Sequence, residues 1–471
     1  MKKRVTRRET RERLKEFRVV GEFIKILKKY FPGLLSLLNS VKDNRDKSRT
    51  TYDASVIFFT RIIGAIFELD SMRKITTELN DENVILNVAE ILNKPDLVEL
   101  PHYTKINDFL ETMDPSELEK IVKLIVKRLM TMDIFKQYRY KGKYWQVIID
   151  GVYLYQVDEE NSDGALFKVH KNKDKTIKYV EYYRYVVEAK LRITHNIVIS
   201  VLSVFCENDA DVKPTVGTAE VVEGEFAKTE TAETSEQVTV SNEKKKQDCE
   251  LKAFYRMEKE LKEIFGNASL CLTMDSLYAA EPVFEICRRN NWKYIIRFKE
   301  GKIESLAKKF EDAVERKNNP NYKEFTSSGG AEKYEFLNAV NYLSHSVNVL
   351  RYTELKSDYP FIFITNLPIN RRNCEELLLR GRARWKIENE GFNRQKNHGY
   401  ALTHRFSKDY NASKNHYYLI QLAHAISQLY ENLSELKELK LPIYRIHSAL
   451  KDYFKHTLIS EQEVSTKTSV T

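Results

Sequence analysis

Asn373–Tyr400 reads NCEELLLRGRARWKIENEGFNRQKNHGY, and its pattern predicts one long helix. Asn373 with Glu376 three residues later is a capping-box start, and Gly399 is a stop. Gly381 and Gly391 each weaken a helix interior by roughly 1 kcal/mol, so they imply a kink or the close approach of another element. At about 100° per residue, Leu377, Gly381, Arg384, Glu388 and Gln395 share one narrow stripe. Leu378, Trp385 and Phe392 run beside it, spaced by sevens, and Glu390 points away. Glu388 thus stands at the border of the packed face with Arg384 one turn before it. Alone, this describes an amphipathic helix with surface charges.

Two other segments deliver carboxylates in a similar style. YWQVIID ends in Asp150 and SLCLTMD ends in Asp275. Each is a short apolar run of strand length, closing on an aspartate followed by a small residue, Gly151 or Ser276. An acid at the end of a buried strand is costly unless it is paired or holds a metal. Taken singly, either aspartate reads as a turn or cap residue; together with Glu388 the balance reverses.

These three blocks, IIDGVY, TMDSLYAAEPVFEIC and RARWKIENEGFNRQKNHGY, resemble the bacterial insertion-sequence DDE transposases with an RNase H-like catalytic core. KQDCELKAF, from Lys246 to Phe254, also resembles that group. The resemblance covers roughly Lys141 to Tyr430. The family's glutamate helix carries Tyr, two residues, Arg, three residues, Glu, six residues, Lys. Arg384 and Glu388 fit, but Gly381 stands at the Tyr position and Gln395 at the Lys position, with Lys396 one residue on. The acidic triad is intact, and the departures fall on the DNA-end contacts.

Around these blocks, 471 residues with 42% hydrophobic composition, 27 Tyr and 23 Phe suffice for two or three domains and a large core. The formal charge of +9 favours a polyanionic partner. Its distribution says more, because residues 2–15 hold eight Lys/Arg against two Glu, and residues 371–414 hold eleven against five acids. The second cluster brackets Glu388. The five cysteines, 206, 249, 271, 287 and 374, are odd in number and form no CxxC pair, which argues against a zinc site or a disulfide framework. A reducing cytoplasm is expected, with nucleoid association when bound to DNA. The basic start lacks a signal-peptide core, and Ala54–Phe67 is interrupted by Arg61 and too short to span a bilayer.

In chain order, residues 1–135 are expected to form an all-helical N-terminal domain. Periodicity runs through Phe17–Leu38, Val56–Phe67 and Ile121–Met130, and Asp114-Pro115-Ser116-Glu117 starts a helix. DNA binding is one reading of this domain and a dimerisation or scaffold bundle the other. From Tyr144 the pattern turns to strands (YWQVIID, VYLYQV, YYRYVVEAKLRI, NIVISVLSVFC). The fold class expected is α/β (α+β): an RNase H-like mixed sheet with flanking helices over 141–430, preceded by the helical domain. A disordered insertion is expected over 208–247 and a β-rich insertion over about 310–368, between the second and third acids. Asp248 is read as capping a helix to about Phe265, Glu281 and Glu285 as first-turn and surface acids, and His416 and His424 as packing residues. Residues 431–471 complete the chain as a helical extension and polar tail.

The resemblance implies a transposase that cuts at element ends and joins them to target DNA. Asp150, Asp275 and Glu388 would be the catalytic residues and the ligands of two Mg²⁺ ions, for which Mn²⁺ substitutes; such ions sit ~3.5–4 Å apart. By this account Asp150 bridges both ions. Arg384 would hold a backbone phosphate, and Arg382, Arg394, Lys396 and His398 would contact DNA. Trp385 is the only aromatic beside Glu388 able to stack on a displaced base, but core packing is the reading favoured for it. Partners would be double-stranded DNA and, in the DNA complex, a second copy of the chain. The alternatives are an RNase H-fold nuclease without strand transfer and a non-catalytic DNA-binding protein descended from a transposase.

Overall fold

The computed structural model describes residues 19–214, 246–327, 329–354 and 359–459. Most of the excursion expected over 208–247 therefore lies outside the described residues, as do the basic N-terminal run and the polar tail. Two compact units emerge: Met1–Gln137 with Arg192–Val201 and Glu388–Thr471, and Tyr138–Leu191 with Leu202–Ile387. Among the described residues no helix is long and apolar enough to cross a membrane.

The first unit is helical where its early residues are described. Its helices are α1 (Val19–Tyr30), α2 (Leu34–Asn39), α3 (Ala54–Ile66), α4 (Met72–Leu79), α5 (Glu82–Leu92), α6 (Tyr103–Thr112), α7 (Pro115–Thr131) and α8 (Asp133–Lys136). The start of α7 is the expected one. Asp114 accepts the Ser116 N–H at 2.9 Å, and Pro115 occupies the first turn, where its missing N–H costs nothing.

The second unit is built on one mixed sheet. Its strands are β1 (Trp145–Val157), β2 (Leu166–Lys171), β3 (Ile177–Arg192), β4 (Val198–Cys206), β5 (Leu270–Met274), β6 (Lys293–Arg297), β7 (Tyr322–Thr326), β8 (Glu332–Tyr342), β9 (His345–Glu354) and β10 (Phe361–Thr365). They lie in the order β2-β3-β1-β5-β6-β10-β9-β8-β7, with β4 paired to β3. β1, β5 and β6 run parallel at the centre. Their near-continuous apolar runs suit strands covered on both faces. Helices α9 (Glu250–Phe265), α10 (Glu281–Arg289), α11 (Glu304–Arg316) and α12 (Cys374–Arg382) accompany the sheet.

Two sequence expectations are modified here. YWQVIID and VYLYQV form one strand, β1, continuous through Gly151. The β-rich segment expected over about 310–368 extends the same sheet: β10 joins β6 antiparallel, with Ile364 opposite Ile296, and β9, β8 and β7 follow outward.

The stretch from Asn373 is not one regular helix. α12 ends at Arg382, a turn follows over Arg384–Lys386, Ile387–Asn393 is a π-helix, and Arg394–Asn397 closes the run. The expected capping box is absent. Asn373 Oδ1 accepts the Asn370 N–H at 2.9 Å, its Nδ2 donates to Pro368 O, and Glu376 pairs with Arg380 instead. The close approach expected at Gly381 is present, since a Cβ there would fall 2.5 Å from the Phe363 ring. That contact seats α12 on β10.

The chain then completes the first unit with α13 (Tyr410–Leu433) and α14 (Ile443–His456). Every residue of α13 from Asn415 to Glu431 is buried, and α1, α3, α6 and α7 pack around it. A helix enclosed on all sides must satisfy its polar groups internally. Asn415 donates to Leu110 O and Met113 O at 2.8 Å, and Gln428 brackets Val198 through both its N–H and its carbonyl. His416 accepts from Arg61 Nε at 3.1 Å. Burial pushes His416 well below the usual imidazole range, so it stays neutral. Arg61, which broke the apolar run of α3 in the sequence, is fully buried with its guanidinium 4.3 Å from the Phe406 ring centre. Burial lowers its pKa to about 9, which leaves it charged at neutral pH.

Candidate active site

β1 and β5 are adjacent and parallel, and their register pairs Ile148 with Thr273. Asp150 and Asp275 each come two residues later, so the two acids stand at the same height on strands ~4.8 Å apart, Asp150 within β1 and Asp275 just past the end of β5. The burial pattern changes at this point: Trp145–Ile149 are buried, and partly exposed positions begin at Asp150. Asp275 follows a fully buried strand and caps the short 3-10 turn Ser276–Tyr278, its Oδ1 accepting the Leu277 N–H at 2.6 Å.

Arg384 reaches back to this edge. Its Nη1 lies 2.8 Å from Asp150 Oδ2, while Asp150 Oδ1 accepts the Gly151 N–H at 3.1 Å. The helix that carries Arg384 is tied to β1 by Gln146. That side chain donates to Arg380 O and Thr273 Oγ1 and accepts from Arg380 Nη1. Arg297 on β6 adds a second guanidinium nearby. Burial, helped by the charge of Arg384, lowers its pKa, and it donates to Pro360 O at 3.0 Å.

A third carboxylate belongs to this cluster that the sequence reading did not single out. Glu250, the first residue of α9, accepts hydrogen bonds from the hydroxyls of Tyr185 and Tyr278, the latter at 3.3 Å. Burial raises its pKa, the charge of Asp275 adds to the rise, and the two tyrosines and Arg384 oppose it. A Cβ on Gly151 would lie 2.6 Å from Glu250 Oε1 and from Tyr185 Cε1, so any side chain there would have to displace this pair. The available signal was the resemblance of KQDCELKAF. Asp248 drew attention there as the cap, but the N-cap is Cys249 and Asp248 pairs with Arg256 at 2.6 Å.

Glu388 is the first residue of the chain beyond the second unit. It lies in the π-helix, half-buried, four residues after Arg384. The residues expected to contact DNA divide in two. Trp385 is 63% exposed, which overturns the core reading for it. Arg382 is exposed over the Phe361 ring and His398 is exposed. Lys396 is half-buried, and burial lowers its pKa. Arg394 is a correction: only 5% exposed, it forms an ion pair with Glu431 inside the first unit, so the expected DNA contact fails. Gln395 is also interior, with Nε2 2.7 Å from Gln421 Oε1 and 3.2 Å from His424 Nδ1. A lysine at that position would bury its charge.

Residues 250–426 match the transposase DDE domain. Over that span the chain is similar to the DDE transposases. The matched span begins on Glu250 and holds Asp275 and Glu388, while Asp150 precedes it. No curated protein matches the chain. Transposases of this family are divalent-metal enzymes that act on DNA. The donor chemistry at Asp150 and Asp275 fits a hard cation, since two carboxylates leave neighbouring strands together and the Arg384 guanidinium stands where positive charge is needed. Elsewhere, Glu281, Glu285 and His345 also bring one ligand atom each to within 4.8 Å of one another. In that group His345 Nε2 lies 3.1 Å from Glu281 Oε1, and Glu285 is held by Arg288.

Proposed function

We propose that this transposase cleaves DNA at insertion-sequence ends and transfers the freed strands to target DNA. Asp150, Asp275 and Glu388 would be its metal-holding carboxylates. The observation that carries this reading is the pairing of β1 with β5, whose register delivers two aspartates to one sheet edge under an arginine. When bound, divalent ions (Mg²⁺, with Mn²⁺ as substitute) would activate the attacking oxygen and neutralise the leaving one.

The chain's own groups would prepare that reaction. Arg384 satisfies Asp150 while cation and DNA are absent, which limits repulsion among the acids. Asp150 would hold the cation in place of the guanidinium, and Arg384 would then reach a backbone phosphate. Trp385 and Arg382, both exposed on the same stretch, would contact the strand beside the cut. Double-stranded DNA is thus the partner, and a second copy of the chain would complete the assembly on paired ends.

A nicking and joining assay on element-end duplexes tests this. Asp150→Asn, Asp275→Asn and Glu388→Gln should each abolish metal-dependent cleavage while DNA binding survives. Arg384→Ala should slow cleavage with little change in metal requirement. Cleavage without joining would reduce the activity to that of a nuclease, and cleavage that survives Asp150→Asn would place the site elsewhere.

A further inference from the structure

Glu250 occupies a position that serves both aspartates. One oxygen accepts from Tyr185 on β3, the strand beside β1, and Gly151, the neighbour of Asp150, is pressed against this pair. Its other oxygen accepts from Tyr278, the last residue of the short turn that Asp275 caps. A single carboxylate at the first position of α9 therefore holds the two segments that present the acids. Tyr278 is fully buried. Side chains that orient metal-binding carboxylates typically alter metal affinity ten- to a hundredfold when removed.

We propose that Glu250 is a positioning residue that fixes the spacing of Asp150 and Asp275 through Tyr185 and Tyr278. This rests on the reading of the two aspartates as metal ligands. Glu250 acts through its hydrogen bonds and not as a further ligand. Its amide analogue therefore keeps the function, because a glutamine accepts from one tyrosine through its oxygen and donates to the other through its nitrogen.

The test is Mn²⁺ binding to the full-length protein, followed by electron paramagnetic resonance, alongside cleavage of end duplexes. Tyr185→Phe and Tyr278→Phe, each removing one hydroxyl, should weaken Mn²⁺ binding about tenfold with the melting temperature nearly unchanged. Glu250→Ala should weaken it at least as much, and Glu250→Gln should bind Mn²⁺ close to wild type. Equal losses from Glu250→Gln and Glu250→Ala would make the charge itself the active feature and overturn the positioning role. Unchanged binding in both tyrosine variants would overturn it too, even if Glu250→Ala fails to fold. Asp150→Asn separates this proposal from the reading beneath it. If Asp150→Asn leaves Mn²⁺ binding intact, the aspartates are not the ligands; if it abolishes binding while the tyrosine variants do not, Glu250 alone is misassigned.

Discussion

Arg394 shows how much a single residue's role depends on its neighbours. In the sequence it is one of eleven basic residues in a cluster, and charge counting assigns it to DNA. In the fold it is interior, in an ion pair with Glu431, and His447 Nε2 lies 2.8 Å from the same carboxylate. Removing one partner of a buried pair typically costs about 3–5 kcal/mol. Arg394→Ala should therefore lower the melting temperature sharply, whereas Arg382→Ala should leave it unchanged and weaken DNA binding. The same cluster sets a pH dependence. Burial lowers the pKa of His447, but hydrogen bonds to Glu431 and Glu68 outweigh it and hold the value above the usual 6.5. Its contribution to stability is complete below 6.5 and fades as pH rises through the raised value. For Glu431, burial is outweighed by the charge of Arg394 and by His447, which hold it below the usual 4.5, so its contribution is lost as pH falls through that lowered value. Chemical denaturation across pH should show greatest stability between these limits, and His447→Gln should remove the decline on the alkaline side. Asp150 and Asp275 were legible in the sequence because each ends an apolar run. Glu250 was not, because an acid opening an amphipathic helix looks like ordinary helix chemistry.

At the scale of elements, period and turn chemistry identified most strands and helices, including α7, α9 and the strands that carry the two aspartates. What they missed was the break in the stretch from Asn373. A regular period of about 100° per residue places Glu388 and Gln395 on one stripe, but the π-helix, with its i→i+5 bonding, changes the facing of every later side chain. Gln395 is buried against α13. Facings read from the regular period therefore do not carry over to the residues from Ile387 on. Gly381 is the element's firm anchor. Gly381→Ala would drive a methyl group into the Phe363 ring, and overpacking of this kind typically costs about 1–3 kcal/mol. Thermal melting should show that loss, and Phe363→Leu in the same chain should recover part of it. Equal stability of Gly381→Ala and wild type would mean that α12 shifts on β10 without penalty.

At the scale of the molecule, neither compact unit is one continuous piece of chain. The sequence pattern placed a helical region first and a sheet second, as observed, but gave no sign that residues beyond Glu388 return to the company of the first 137. Such pairings are set by tertiary packing between distant segments, which local periodicity does not encode. Removal of residues 1–135 should strip the cover from α13 and leave a long buried face exposed. The truncated chain should aggregate during expression or size-exclusion chromatography, and a soluble monomer with wild-type far-ultraviolet dichroism would reject that expectation. The burial of α13 also has a consequence for the ribosome. Helices α1 to α7 emerge early, yet the segment they enclose follows on the order of 15–60 s later at roughly 5–20 residues per second. Throughout that interval the faces of α1, α3, α6 and α7 that will cover this helix lack their final partner, which leaves them open to wrong contacts until translation of Tyr410–Leu433 is complete.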